Sequence, residues 1–183
     1  DVEEILKEIR KRIEDVKRES EKTLKEIRDL IKKVAEDIER SVKENRELID
    51  KVRRELERDV RDEDLLRRLK EKLDRLLKRS EEVAERLRRK LKRLAEEVER
   101  VAEDTKRKLE KLLDDAEKMS RMDDRKVLTD VLKEIERRID ELRRRNEEVV
   151  EKIKREIKKL EDESKRVNDE SREIIKRIKE EVD

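Results

Sequence analysis

The sequence holds 183 residues, with 58 Lys and Arg against 56 Asp and Glu, for a formal net charge of +2. It contains no His, Cys, Gly, Pro or aromatic residue. That excludes disulfides and zinc–thiolate sites, imidazole acid–base chemistry, glycine-rich phosphate loops and aromatic stacking platforms. An enzyme is therefore not expected, and no cofactor or metal site is expected either. Although 62% of the residues are charged, the charges cancel, and the dominant residues (Leu, Glu, Lys, Arg) are strong helix formers, which argues for helix rather than disorder. The longest apolar run is two residues, as in Leu65-Leu66, whereas a membrane span needs about 20. No span or signal peptide is expected. The chain begins at Asp1 rather than Met and is read as trimmed. A soluble protein is expected, cytoplasmic if expressed recombinantly.

The spacing predicts a first helix over about 2–58. Its inward candidates step by three and four: Val2, Ile5, Leu6, Ile9, Ile13, Val16, Leu24, Ile27, Ile31, Val34, Ile38, Val42, Ile49, Val52 and Leu56. A sharper repeat lies inside this stripe. Ile13, Ile31 and Ile49 are 18 residues apart, and so are Val16, Val34 and Val52. Eighteen residues in five turns is about 3.6 per turn, the period of an undistorted α-helix. A heptad repeat would impose left-handed supercoiling. Nearly straight, untwisted helices are expected instead.

The stripe breaks at Asp59–Asp64, where Asp62 is expected to cap a second helix over about 63–118. Its series are Leu73, Leu91, Leu109 and Leu76, Leu94, Leu112. A second break falls at Met119–Asp124. There Asp123 is expected as the cap, with Met122 and Val127 forming a hydrophobic staple. With no Gly in either turn, any left-handed C-cap would fall on a costlier residue. The third helix, about 124–182, carries Ile139, Ile157, Ile175 and Leu142, Leu160, Ile178. Equal helices with short connections pack as antiparallel neighbours. The expected fold is an all-α, antiparallel three-helix bundle forming one rod-like domain over 1–183.

Polar residues interrupt the inward series. Turns pivoting near residues 61 and 121 would set position n of the first helix opposite about 122 − n of the second and beside about n + 120 of the third. The exceptions then collect in two layers. One comprises Ser20, Thr23, Thr105 and Asn146; the other comprises Ser41, Asn45, Ser80, Ser164, Asn168 and Ser171. A buried amide or hydroxyl left unpaired costs about 1–3 kcal/mol, so clustering points to hydrogen-bond networks that fix helix register. The competing reading sets several of them at the stripe edge, bonded to water or to their own backbone.

A chain free of Gly, Pro and aromatic residues, with an 18-residue period, Asp-capped turns and polar layers, resembles de novo designed helical bundles with buried hydrogen-bond networks. The resemblance spans the whole chain and implies an engineered structural scaffold without evolved activity. It carries over no catalytic residue.

Other functions fit less well. Di-iron bundles need inward Glu and a Glu-x-x-His motif, but Glu and Asp avoid this stripe. The basic runs Arg86–Arg93 and Arg143–Arg145 sit in a balanced chain, near Glu81, Glu82, Glu96 and Glu97, so nucleic-acid binding is not expected. Membrane-surface binding is not expected without Trp or Phe on the apolar face. No partner is required. The rival reading is an interaction module that self-associates or docks partner helices, with Leu30, Leu48 and Met122 bordering the contact.

Overall fold

Three long helices account for the chain: α1 (Val2–Asp59), α2 (Glu63–Met119) and α3 (Arg125–Val182). The computed structural model describes residues 2–182. The boundaries lie within one residue of those expected from the stripe. The chain is an all-α three-helix bundle that divides into two compact units. Unit 1 is the chain up to Leu30 together with Leu94–Arg155; unit 2 is Ile31–Arg93 together with the chain from Glu156 onward.

In unit 1, Ile9, Ile13 and Val16 of α1 meet Leu109, Leu112 and Ala116 of α2 and Leu128, Leu132, Ile135, Ile139 and Leu142 of α3. In unit 2, Ile49, Val52 and Leu56 of α1 meet Leu69, Leu73 and Leu76 of α2 and Ile175 and Ile178 of α3. The 18-residue series stay inward: Val16, Val34 and Val52 are all buried, and so are Leu73, Leu91 and Leu109. Each buried Leu, Ile or Val contributes about 1.5–3 kcal/mol. An exposed ion pair contributes about 0.2–1 kcal/mol. The stripe therefore outweighs the charges that dominate the composition.

Ion pairs give the direction and register of the helices. In unit 1, Arg10 pairs with Glu117 at 3.6 Å and Arg28 with Glu99 at 2.7 Å. In unit 2, Arg46 pairs with Glu81 at 2.7 Å and Glu57 with Lys70 at 2.8 Å. Rising numbers on α1 meet falling numbers on α2, so the two are antiparallel in each unit. In unit 1, Arg12 with Glu136 at 3.9 Å and Glu19 with Arg143 at 2.8 Å show α3 running parallel to α1.

The pairing register differs from the expected one. The residue numbers of these four α1–α2 pairs, and of Arg53–Asp74 and Glu39–Arg88, each total 127 rather than about 122. Helical side chains lean toward their own N-terminus. On α1 that lean points away from the first turn, and on α2 it points toward it. Tips that meet therefore belong to residues whose numbers total more than twice the midpoint of the turn. Across α2 and α3 the bonded pairs Thr105–Asn146 and Ser80–Ser171 each total 251 rather than about 242, an offset too large for side chains this short, so here the backbones themselves are shifted along one another.

Both turns close without Gly. Among the described residues none has a positive φ, so the left-handed cap and its cost do not arise. Instead the Val60 amide donates to Leu56 O at 2.9 Å, and the Ser120 amide to Ala116 O at 3.0 Å, followed by bonds over three residues from the Arg121 amide to Lys118 O at 3.3 Å and from the Met122 amide to Met119 O at 3.1 Å. Asp62 caps α2 as expected: its Oδ1 accepts from the amides of Asp64 at 3.0 Å and Leu65 at 3.3 Å. The cap of α3 is Asp124, not Asp123. Its Oδ1 accepts from Lys126 and Val127 amides at 3.1 and 3.4 Å. The shift by one moves the staple frame off Met122 and Val127, which are the exposed large hydrophobics of the described residues. Leu128, now at the inward position, is 2% exposed.

Candidate functional site

With no catalytic constellation in the sequence, the candidate site is the pair of polar layers, one in each unit. The helical period brings them inward, because every member occupies a position where its 18-residue series otherwise carries apolar residues.

In unit 1 the layer centres on Thr105, which is 4% exposed. Asn146 of α3 donates through Nδ2 to Thr105 Oγ1 of α2 at 2.9 Å. Thr23 donates its hydroxyl to Glu19 O, one turn back in its own helix, at 2.8 Å. This is the back-bonding open to a Thr in a helix interior. Ser20, half-buried, makes no side-chain bond and lines two grooves. One, of about 390 Å³, runs between α1 and α3 past Thr23, Leu24, Asn146 and Val150. The other, of about 510 Å³, runs between α1 and α2 over Ile13, Leu24, Ala102, Thr105 and Leu109. Small side chains at Ser20 and Ala102 leave this space.

In unit 2, Ser171 is 2% exposed and Asn45 8%. Ser80 and Ser171 hydroxyls lie 3.4 Å apart, close enough for one long hydrogen bond between α2 and α3. The layer is closely packed. Ser41, Asn45, Ser80, Ser164 and Asn168 converge on a cavity of only about 20 Å³. A second space of about 30 Å³ lies on another side of Ser41, Asn45 and Asn168, next to Leu48 and Arg172.

The structure therefore brings each proposed layer together within its own unit. It gives each layer one direct inter-helix side-chain bond, and the remaining members make none with another side chain. What the sequence reasoning missed is the set of ion pairs that bridge helices beside the layers. Arg28 and Glu99 border the larger groove of unit 1, and Glu19 and Arg143 border the other. In unit 2, Arg46 Nε donates to Glu81 Oε1 at 2.8 Å beside the small cavity, and Arg88 pairs with Glu39. The signal lay in the sequence as opposite charges flanking the stripe, but only the register could pair them. The hydrogen bond from Arg28 holds Glu99 below the ordinary carboxylate range, and Arg88 does the same for Glu39. Both arginines are raised in return by the carboxylates they bond.

Among the described residues, no cluster of three or more Asp or Glu is arranged to hold a metal ion. No described helix is long and apolar enough to cross a membrane. Comparison with known proteins finds no matching family, no matching curated protein and no matching solved structure.

Proposed function

We propose that this chain is a self-contained structural scaffold of engineered origin, without catalytic chemistry of its own, in which the polar layers fix helix register. The observation that carries this reading is where the apolar surface goes. Each unit buries its share of the stripe against its own three helical segments. The exposed large hydrophobics among the described residues are Met122 and Val127, both beside the second turn. Leu30 and Leu48, which could have bordered a partner, are half-buried, and Leu48 packs on the unit 2 core. Stable interfaces bury about 800 Å² per partner around an apolar centre, and two side chains at a turn supply little of that. The register role draws on the clustering of Ser, Thr and Asn at matching heights, since a slip along the axis would set those groups against apolar neighbours.

Sedimentation equilibrium tests the proposal. A mass of 22.5 kDa that does not change with concentration supports it. A mass rising to a multiple of that value moves the assignment to the interaction module that self-associates or docks partner helices.

A further inference from the structure

The unit 2 layer contains a conflict that direct hydrogen bonds do not resolve. Asn45 is more than nine-tenths buried. Its carboxamide offers two donors and one acceptor oxygen with two lone pairs. Yet it bonds to no side chain or backbone group, although Ser41, Ser80, Ser164 and Asn168 line the same cavity. Leaving such a group unpaired costs about 1–3 kcal/mol. The polar atoms of Asn45 are nevertheless not sealed. Among the described residues, Arg53 Nε is the side-chain N or O that is both cut off from solvent and unpartnered. The Asn45 carboxamide keeps surface that a water molecule can touch.

The dimensions fit one kind of guest. A space needs about 10–15 Å³, measured for a water-sized sphere, to hold one water, and the water needs two to four polar partners. The two spaces beside Asn45 measure about 20 and about 30 Å³. Ser41, Ser80, Ser164 and Asn168 supply partners on the first; Ser41, Glu44, Asn168 and Arg172 supply them on the second. Apolar cavities stay dry, but a space of this size with several convergent polar groups has room and partners for a water; the first space also has Ile38, Leu77 and Leu87 on its walls, so a water there sits at the end lined by Ser and Asn.

We propose that the unit 2 layer is a hydration site, with one water in each space, both bonded to the Asn45 carboxamide. These waters link α1 to Ser80 of α2 and to Ser164 and Asn168 of α3. The layer is then a water-mediated network centred on one amide, unlike the direct Asn146–Thr105 bond of unit 1. A bridging water is nearly as favourable in enthalpy as a direct bond, so the buried amide is satisfied.

A high-resolution crystal structure of the full chain tests this directly. The expected result is an ordered water oxygen about 2.7–3.2 Å from Asn45 Oδ1 or Nδ2 that also bonds Ser80, Ser164 or Asn168. Asn45 bonded directly to one of those side chains, with no water, overturns the proposal. So do empty spaces in a map that shows surface waters. In solution, the side-chain amide protons of Asn45 should receive magnetisation from water, and those of Asn146, which donate to Thr105, should receive less. Equal transfer at the two, or none at Asn45, also overturns it.

Discussion

The two units hold their polar layers in different ways. In unit 1 the layer is open: a direct Asn146–Thr105 bond at 2.9 Å lies beside grooves of about 390 and 510 Å³. In unit 2 it is close-packed: a long Ser80–Ser171 contact of 3.4 Å and an Asn45 without a direct partner surround spaces of about 20 and 30 Å³. The larger space of unit 2, about 460 Å³, is a charged cleft between α2 and α3 that shares Val83 and Val167 with the layer's small cavity but none of the layer's polar residues. Placing polar residues on an apolar series thus has two outcomes. Where the substitute is as small as Ser20, next to Ala102, volume is lost and a groove opens. Where Asn45 and Asn168 fill the space, volume is kept and only the hydrogen bonding must be settled.

The contrast is sharpest when the same change is made in both units. Ser41→Leu should cost about 1–3 kcal/mol, because a large side chain must enter a layer with almost no free volume. Ser20→Leu should instead stabilise by about 1 kcal/mol, since it covers groove surface and restores the apolar series of Val2, Ile38 and Leu56. Urea unfolding of the two variants reads the difference, and equal effects of the same sign would erase the distinction between the layers.

A smaller effect separates the amides. Asn146→Leu should destabilise by about 1–3 kcal/mol, because the buried Thr105 hydroxyl loses its donor. Adding Thr105→Val should recover most of that loss. Asn45→Leu should also destabilise, by about 1 kcal/mol, because the bridging waters and the Ser and Asn side chains they serve lose the central amide, while the flanking spaces take part of the added volume. The unfolding midpoints of the three variants order these effects. A larger loss from Asn45→Leu than from Asn146→Leu would reverse the assignment of the direct bond to unit 1.

The smallest effect is electrostatic and should be similar in both units. Glu99 in unit 1 and Glu39 in unit 2 are held below the ordinary value of 4.5 by hydrogen bonds from Arg28 and Arg88. A lowered carboxylate stabilises the fold above its unfolded value, and that stability fades as pH falls through the lowered one. Melting temperature should therefore drop slightly below about pH 4.5, and Glu99→Gln or Glu39→Gln should flatten the drop. These pairs are exposed, so added salt should change melting little. Thermal melts across pH and salt check both, and a steep salt dependence would rank charge above the apolar core.

Much of this architecture can be read from residue spacing. The stripe placed the helix ends within one residue, because an undistorted helix returns the same face every 18 residues and each break in phase ends a helix. The two layers were visible for the same reason: Ser, Thr and Asn stand where the series calls for Ile, Val or Leu. The register was not visible, because the stripe marks which residues face inward and not how far each turn shifts one helix along the next. Asp123 and Asp124 differ as caps only through the last turn of α2, where bonds from Arg121 and Met122 tighten the chain. The open layer of unit 1 and the close-packed one of unit 2 both draw on Ser and Asn, with Thr in unit 1 alone. What divides them is the bulk of their neighbours, which a list of polar positions does not weigh.

The 18-residue return also makes helix length adjustable. Excising 18 residues from all three helices at matching heights would rejoin each at an unchanged azimuth, shortened by about 27 Å. Adding the same block would lengthen all three without rotating any stripe out of contact. A heptad design would have to carry its superhelical phase through such an edit. Here the family of compatible lengths follows from simple arithmetic, with five turns as the unit.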